Sequence, residues 1–327
     1  MILITGGAGF IGSNIAARLC DDGHEVVVCD WLGDDNIKWQ NLKNRLLYRI
    51  TAPEALGDFL ASSPDLAAVV HMGAISATTA SDADLIVRTN IDLSQSLWRY
   101  CAESSVPFIY ASSAATYGDG SQGFRDDNDI EQMKQLQPLN LYGWSKKFFD
   151  LWALSEQARG RATPPKWAGL KFFNVYGPNE LHKGDMMSIV SKNREKCAAG
   201  EEVPLFRSHR PDYEDGGQLR DFVFVDDCVD IVSWLLSNRF ENGVFNVGSG
   251  QARSFRDLIA ATFKAAGQAE NIRYIDMPAS LRDKYQYFTE ADMTRLRQAG
   301  YNGGGTSIER GVEITMRDYL LKTDPHR

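Results

Sequence analysis

Short, unbroken apolar runs alternate along the chain with longer amphipathic stretches. ILIT (2–5), EVVVCD (25–30), AAVVHMGA (67–74) and PFIYASSAATYG (107–118) are rich in β-formers and bounded by turn residues. Continuous hydrophobicity, rather than strict alternation, predicts strands buried on both faces of a parallel sheet. Between them lie helical patterns such as FIGSNIAARLCDDG and NIDLSQSLWRYCAESS. Repeated βα units of this kind predict an α/β fold, a doubly wound parallel sheet of Rossmann type with helices on both faces. Strand patterns continue at WAGLKFFNVYG, RDFVFVDD and GVFNVGSG, but the second half is more irregular. The expected organisation is a nucleotide-binding domain mainly within 1–170, joined by segments near 221–250, and a smaller, discontinuous α/β substrate lobe mainly within 171–327. The polar segment RSHRPDYEDGGQ (207–218) reads as a mobile loop.

Two motifs carry chemistry on this frame. In ITGGAGFIGSN, Gly6, Gly9 and Gly12 follow the first strand and open the first helix. Glycines there let a pyrophosphate approach backbone N–H groups at the positive helix end. Asp30 closes the next strand, where a carboxylate can bind an adenosine ribose or tether the following loop. A carboxylate repels a ribose 2′-phosphate and argues for NAD, whereas the nearby Lys38 can neutralise one, so both NAD and NADP stay open.

The second motif joins YASSAATYG to NLYGWSKKFFD. Tyr142 and Lys146 are four residues apart and share one helix face. An ammonium beside a phenol is expected to pull the Tyr142 pKa down towards neutrality, making it an acid/base. Ser113, at the end of the fourth strand, can hydrogen-bond the same substrate oxygen, and Lys146 can reach the nicotinamide ribose. Phe148, Leu151 and Trp152 are expected to turn towards the sheet.

Composition narrows the partners. A formal net charge of −8 over 327 residues disfavours nucleic acid and anionic membranes, which leaves a small molecule. Five cysteines, scattered and without metal-ligand spacing, predict a reduced, cytoplasmic chain and no bound metal. The sequence shows neither a leader nor an apolar run long enough to span a membrane.

TGGAGFIG, SSAATYG, YGWSK and RDFVFVDD, in that order, resemble the signatures of the extended short-chain dehydrogenase/reductase superfamily. Within it the chain is most similar to the ADP-L-glycero-D-manno-heptose 6-epimerases, on GAISATT (73–79), YASSAATYG, FNVYGPNELHKG, SFRDL (254–258) and YQYFTEADMTRLRQAGY (285–301). The resemblance implies tightly bound NADP or NAD, with a lean to NADP, held by Gly6, Gly9, Phe10, Ile11, Gly12, Asp30, Lys38 and Lys146. It implies a nucleoside-diphosphate sugar as substrate, inversion at C6″, a homopentamer, and a product that feeds surface-polysaccharide synthesis. Ser76, Asn174, Arg220 and Tyr285 match positions that line the sugar or the diphosphate, and a guanidinium fork at Arg220 suits diphosphate oxygens.

Lys183 completes the set. A carbinol oxidised to a ketone, turned over and reduced again returns inverted, and the turned oxygen calls for a second proton donor besides Tyr142. Lys183, just past the strand FNVYG, matches the lysine these epimerases use, and desolvation would suit it to that role. A phosphate-binding or solvated lysine competes with this reading, while His182 reads as a loop residue and His71 as a sheet-end residue near the cofactor. The enzymatic alternatives are a 4-epimerase, dehydratase or reductase of another nucleotide sugar. The non-enzymatic alternative is an NAD(P)-sensing protein, against which Ser113, Tyr142 and Lys146 argue. Trp31 directly after Asp30, and the long acidic loop 207–218, depart from the family pattern.

Overall fold

The computed structural model describes residues 1–34, 37–282 and 285–327. In chain order its strands are β1 (Ile2–Thr5), β2 (Val26–Cys29), β3 (Arg49–Thr51), β4 (Ala68–His71), β5 (Phe108–Ser113), β6 (Trp167–Phe172), β7 (Asn174–Tyr176), β8 (Val203–Phe206), β9 (Leu219–Phe224), β10 (Gly243–Val247), β11 (Ala252–Ser254) and β12 (Ile272–Ile275). Seven of them form one sheet in the order β10-β6-β5-β4-β1-β2-β3, with every neighbouring pair parallel.

The pleat explains why the apolar runs are continuous. Ile2, Ile4, Val26, Val28 and Val70 enter one core with Ile15, Leu19 and Val232 from the helices Phe10–Asp21 and Val225–Ser237. Leu3, Val27 and Val69 point the other way, into a second core with Trp98 and Phe149 from the helices Leu93–Glu103 and Leu141–Ala158. Both faces are covered, so successive residues are all apolar. The chain order of the strands reverses between β4 and β1, which opens a crevice at their C-terminal ends.

Smaller sheets lie beyond this frame: β11-β9-β7 and β12-β8. WAGLKFFNVYG, a single run in sequence, serves two sheets. Its first part is β6 in the large sheet and its last part is β7 beside β9, with the Phe173 N–H bonded to Val247 O at 3.0 Å in between. Strand β10 then returns to the edge of the large sheet next to β6.

Strand β3, a short edge with Arg49 and Ile50 exposed, is not among the strands expected from the sequence. Two expectations change. Phe148 does not face the sheet: it is 41% exposed against Trp144, and Phe149, at 2%, takes the core position one residue on. The loop 207–218 is tied down rather than free. Arg210 stacks on Tyr213 and Tyr287, the His209 N–H donates to Tyr287 Oη, and Asp215 accepts from the Ser208 N–H.

Candidate functional site

At the crevice, Gly9 caps the helix Phe10–Asp21 without any side chain of its own. Gly12 packs that helix onto the turn so closely that a Cβ there would lie 2.2 Å from Gly6 O. The first backbone N–H groups of the helix are therefore presented bare to the crevice, which suits a pyrophosphate. Asp30 follows β2 and does two things at once. Its Oδ2 accepts from the Ala8 N–H at 2.9 Å, fixing the glycine turn, and its Oδ1 pairs with Lys38 Nζ at 2.7 Å. Tethering and ribose binding are compatible, because an ionised carboxylate has about four acceptor positions.

The acid/base side is assembled by close backbone contact. Asn140 caps the helix Leu141–Ala158 by accepting from the Gly143 N–H at 2.8 Å. Gly143 lets the helix end approach the turn after β5, since a Cβ there would lie 2.6 Å from Ala115 O. This contact brings Tyr142 into hydrogen-bonding reach of Ser113.

The proton affinities differ from the sequence-based expectation. Burial raises the Tyr142 pKa above its ordinary value, the Ser113 hydroxyl opposes that, and the charge of Asp150 adds to it. Lys146 does not draw it down. Lys146 is only 3% exposed, and burial pushes its own pKa down to about 8 against the attraction of Asp150. Among the described residues its ammonium has no hydrogen-bond partner, and it faces the cavity, as expected of a group reserved for ligand hydroxyls.

These groups line one cavity of about 500 Å3. Gly9, Phe10, Ile11, Gly12, Ser76, Ser113, Tyr142, Lys146, Asn174 and Lys183 all border it. Lys183 belongs to the short helical segment Leu181–Met186 after β7. It is not desolvated: its side chain is 24% exposed, lies 3.3 Å from Glu180 Oε2, and sits 4.7 Å above the Phe10 ring. His182 also borders the cavity, with Nδ1 3.1 Å from Asn41 Nδ2. Asp30 and Lys38 stand behind the glycine turn, outside the lining. Arg220 and Tyr285 are also outside it, but Arg220 stacks on both Tyr285 and the cavity residue Phe255. Arg220 is 8% exposed and has no carboxylate partner among the described residues.

Sequence reasoning missed several residues that position this set. Asn90, in the π-helical turn Val87–Asp92, holds the Ile75 backbone through both ends of its amide and donates to Ser145 Oγ, which donates to Tyr142 O. Asp150 continues the spacing of Tyr142 and Lys146 by a further four residues. It is buried among the Tyr110 and Ser112 hydroxyls, with Lys171 at 3.9 Å. Burial raises the Asp150 carboxyl, and the ammonium of Lys171 opposes that. The signal for Asp150 was its four-residue spacing; for Asn90 there was none.

Among the described residues, no helix is long and apolar enough to cross a membrane, and no three His, Cys, Asp or Glu side chains are grouped to hold a metal. His71 is buried at the end of β4. Ser94 Oγ already donates to Asn90 O, so the His71 Nε2–H donates to Ser94 Oγ, and Nδ1 accepts from Thr5 Oγ1.

The sequence and fold have clear relatives. Residues 2–248 match the NAD dependent epimerase/dehydratase family. The chain is 50% identical, over the whole of both chains, to the ADP-L-glycero-D-manno-heptose-6-epimerase of Nitratidesulfovibrio vulgaris strain Hildenborough. The crystal structure of the Helicobacter pylori ADP-L-glycero-D-manno-heptose-6-epimerase superposes with a TM-score of 0.79 at 29% identity, covering 98% of this chain and 94% of that one. MoeE5 in complex with UDP-glucose and NAD gives 0.73 at 25% identity, covering 97% and 99%. The chain therefore belongs to the NAD dependent epimerase/dehydratase family and is an NAD(P)-dependent epimerase.

Proposed function

We propose that this epimerase inverts C6″ of an ADP-glycero-manno-heptose, with Tyr142 and Lys183 as its two proton-handling groups. The observation that carries the reading is the single cavity in which Ser113, Tyr142, Lys146 and Lys183 meet beside the glycine turn. The curated relative aligned over the whole chain is named for this activity.

The chain's own residues divide the work. The turn at Gly9 and Gly12, with Asp30 and Lys38 behind it, holds the dinucleotide, and Lys146 orients its ribose. NAD(P), when bound, would supply hydride transfer in both directions, and its oxidised form would add a positive charge to the site. Ser113 holds the substrate oxygen, and Tyr142 takes the hydroxyl proton in its ionised form, which a cationic cofactor favours against the effect of burial. Once the carbonyl has turned, Lys183 gives a proton to the oxygen in its new position. The proton gained at Tyr142 and the one lost at Lys183 are restored through water, to which the partly exposed Lys183 has access. Ser76 and Asn174 border the sugar space, and the buried guanidinium of Arg220, beside Tyr285, suits the diphosphate.

The test is mass spectrometry of ligand released from the purified protein, followed by NMR of ADP-D-glycero-D-manno-heptose incubated with it. Conversion to the C6″ epimer, slowed about 10²-fold in Lys183→Ala while the cofactor stays bound, is the expected result. No conversion by cofactor-loaded wild type rejects this substrate.

A further inference from the structure

Lys183 sits on a short segment that regular secondary structure does little to hold. What holds it is Glu180, a fully buried carboxylate. Glu180 Oε1 accepts from the Gly177 N–H at 3.3 Å, Ser188 Oγ at 2.7 Å and Ser191 Oγ at 3.1 Å. Its Oε2 accepts from the Ser188 N–H at 2.8 Å and from Lys183 Nζ at 3.3 Å. Four of these donors are neutral. Among the described residues, Lys183 is the only cation within ion-pair distance, so the buried charge of Glu180 depends on it.

We propose that Glu180 is the positioning residue of the second proton-handling group: its buried carboxylate aims the Lys183 amine over Phe10, towards the turned substrate oxygen. The inference rests on the assignment of Lys183 under the proposed function. A loop staple would need only the contacts to Gly177, Ser188 and Ser191, which fasten the segment to the start of the helix Ile189–Ala199. The contact to Lys183 adds direction. When Lys183 gives up its proton, Glu180 is left buried without a cation, which drives prompt reprotonation from water.

The experiment measures single-turnover oxidation of each C6″ epimer of ADP-glycero-manno-heptose by holoenzyme, read as reduced-nicotinamide absorbance. It compares wild type, Lys183→Ala, Glu180→Gln and the double variant. Lys183→Ala first identifies the epimer whose hydroxyl proton goes to Lys183. Glu180→Gln is expected to slow that same epimer at least tenfold and the other less than twofold, and to add nothing in the Lys183→Ala background. Equal slowing of both epimers, or effects that multiply in the double variant, makes Glu180 a staple and overturns the proposal. If Glu180→Gln does not fold, Glu180→Asp, which keeps the charge but withdraws it, faces the same criteria. If Lys183→Ala shows no preference between epimers, the assignment of Lys183 itself fails. If it shows one that Glu180→Gln does not share, only the present proposal fails.

Discussion

Around Tyr142 the chain is held by packing, whereas around Lys183 it is held by hydrogen bonds to one carboxylate. The helix bearing Tyr142 is capped by Asn140, pressed against Ala115 through Gly143, and anchored to the π-helical turn by Asn90 and Ser145. Its ionisable residues Lys146 and Asp150 are buried, and burial changes their proton affinities. The segment Leu181–Met186 is two short helical turns kinked at Gly184, and the Lys183 side chain on it keeps a quarter of its surface in solvent. The contrast suits two tasks. The phenol, on a helix fixed by packing, moves a proton with the substrate, while the partly exposed amine can also exchange with water and reset the site.

The largest expected effect tests this contrast directly. Tyr142→Phe is expected to lower steady-state conversion about 10³-fold, within the range for a lost acid/base group. Lys183→Ala is expected to lose only about 10²-fold, because water can partly replace a group at an open position. A small primary amine in the buffer should restore part of the Lys183→Ala rate. Equal losses for the two variants, with no amine rescue, would remove solvent access as the difference between them.

Stability gives a second measure of the same contrast. Gly12→Ala forces a Cβ within 2.2 Å of Gly6 O, a backbone atom with nowhere to move. Unfolding in denaturant should show a cost of about 3 kcal/mol or more, together with loss of bound cofactor. At Gly184 nothing lies within 4 Å, and the penalty comes only from its φ of 52°. Gly184→Ala should cost about 1–2 kcal/mol and leave cofactor binding intact. A larger cost at Gly184 than at Gly12 would mean that the loop, not the glycine turn, is the rigid side.

The packed region was also the legible one. Its strands announced themselves as unbroken apolar runs because both faces are covered, and Tyr142 and Lys146 shared a face through helix geometry alone. The glycine turn was legible for the same reason, since its constraints are local. The rest depends on contacts distant in sequence. WAGLKFFNVYG carries no mark at Phe173 of its exchange from one sheet to another. No local pattern shows that the fold buries Glu180 among hydroxyl and N–H donors, and for Asp150 the four-residue spacing alone points inward. The choice between Phe148 and Phe149 for the core is a rotation of one residue, which amphipathic pattern alone does not fix. The pKa of Tyr142 was misjudged because the sequence shows the neighbouring lysine but not the depth of burial.

Arg220 extends the comparison into the irregular half. A buried guanidinium with no carboxylate partner among the described residues costs stability in the free protein and is suited to an anion. Arg220→Met should therefore weaken ADP binding roughly tenfold by calorimetry while raising thermal stability by on the order of 1 kcal/mol. Weaker binding with lower stability would make Arg220 a packing residue, held by Phe255 and Tyr285.

The smallest effect lies at His71, deep on the packed side. Burial lowers its pKa to about 3, and Lys146 adds to that. The unfolded chain takes up this proton below its ordinary value near 6.5, while the folded chain does not. Stability is thus retained above about pH 6.5 and lost as pH falls towards 3. Between pH 7 and 5.5 the loss from this residue is about 1 kcal/mol. His71→Asn should flatten that part of the pH–stability curve, and the His71 ring should show no NMR titration down to about pH 4 in the wild type. A ring that titrates near pH 6 would show that water reaches the floor of the sheet beside Lys146. The packed side would then be as open to proton exchange as the Lys183 segment, and the division of labour between the two regions would fall with it.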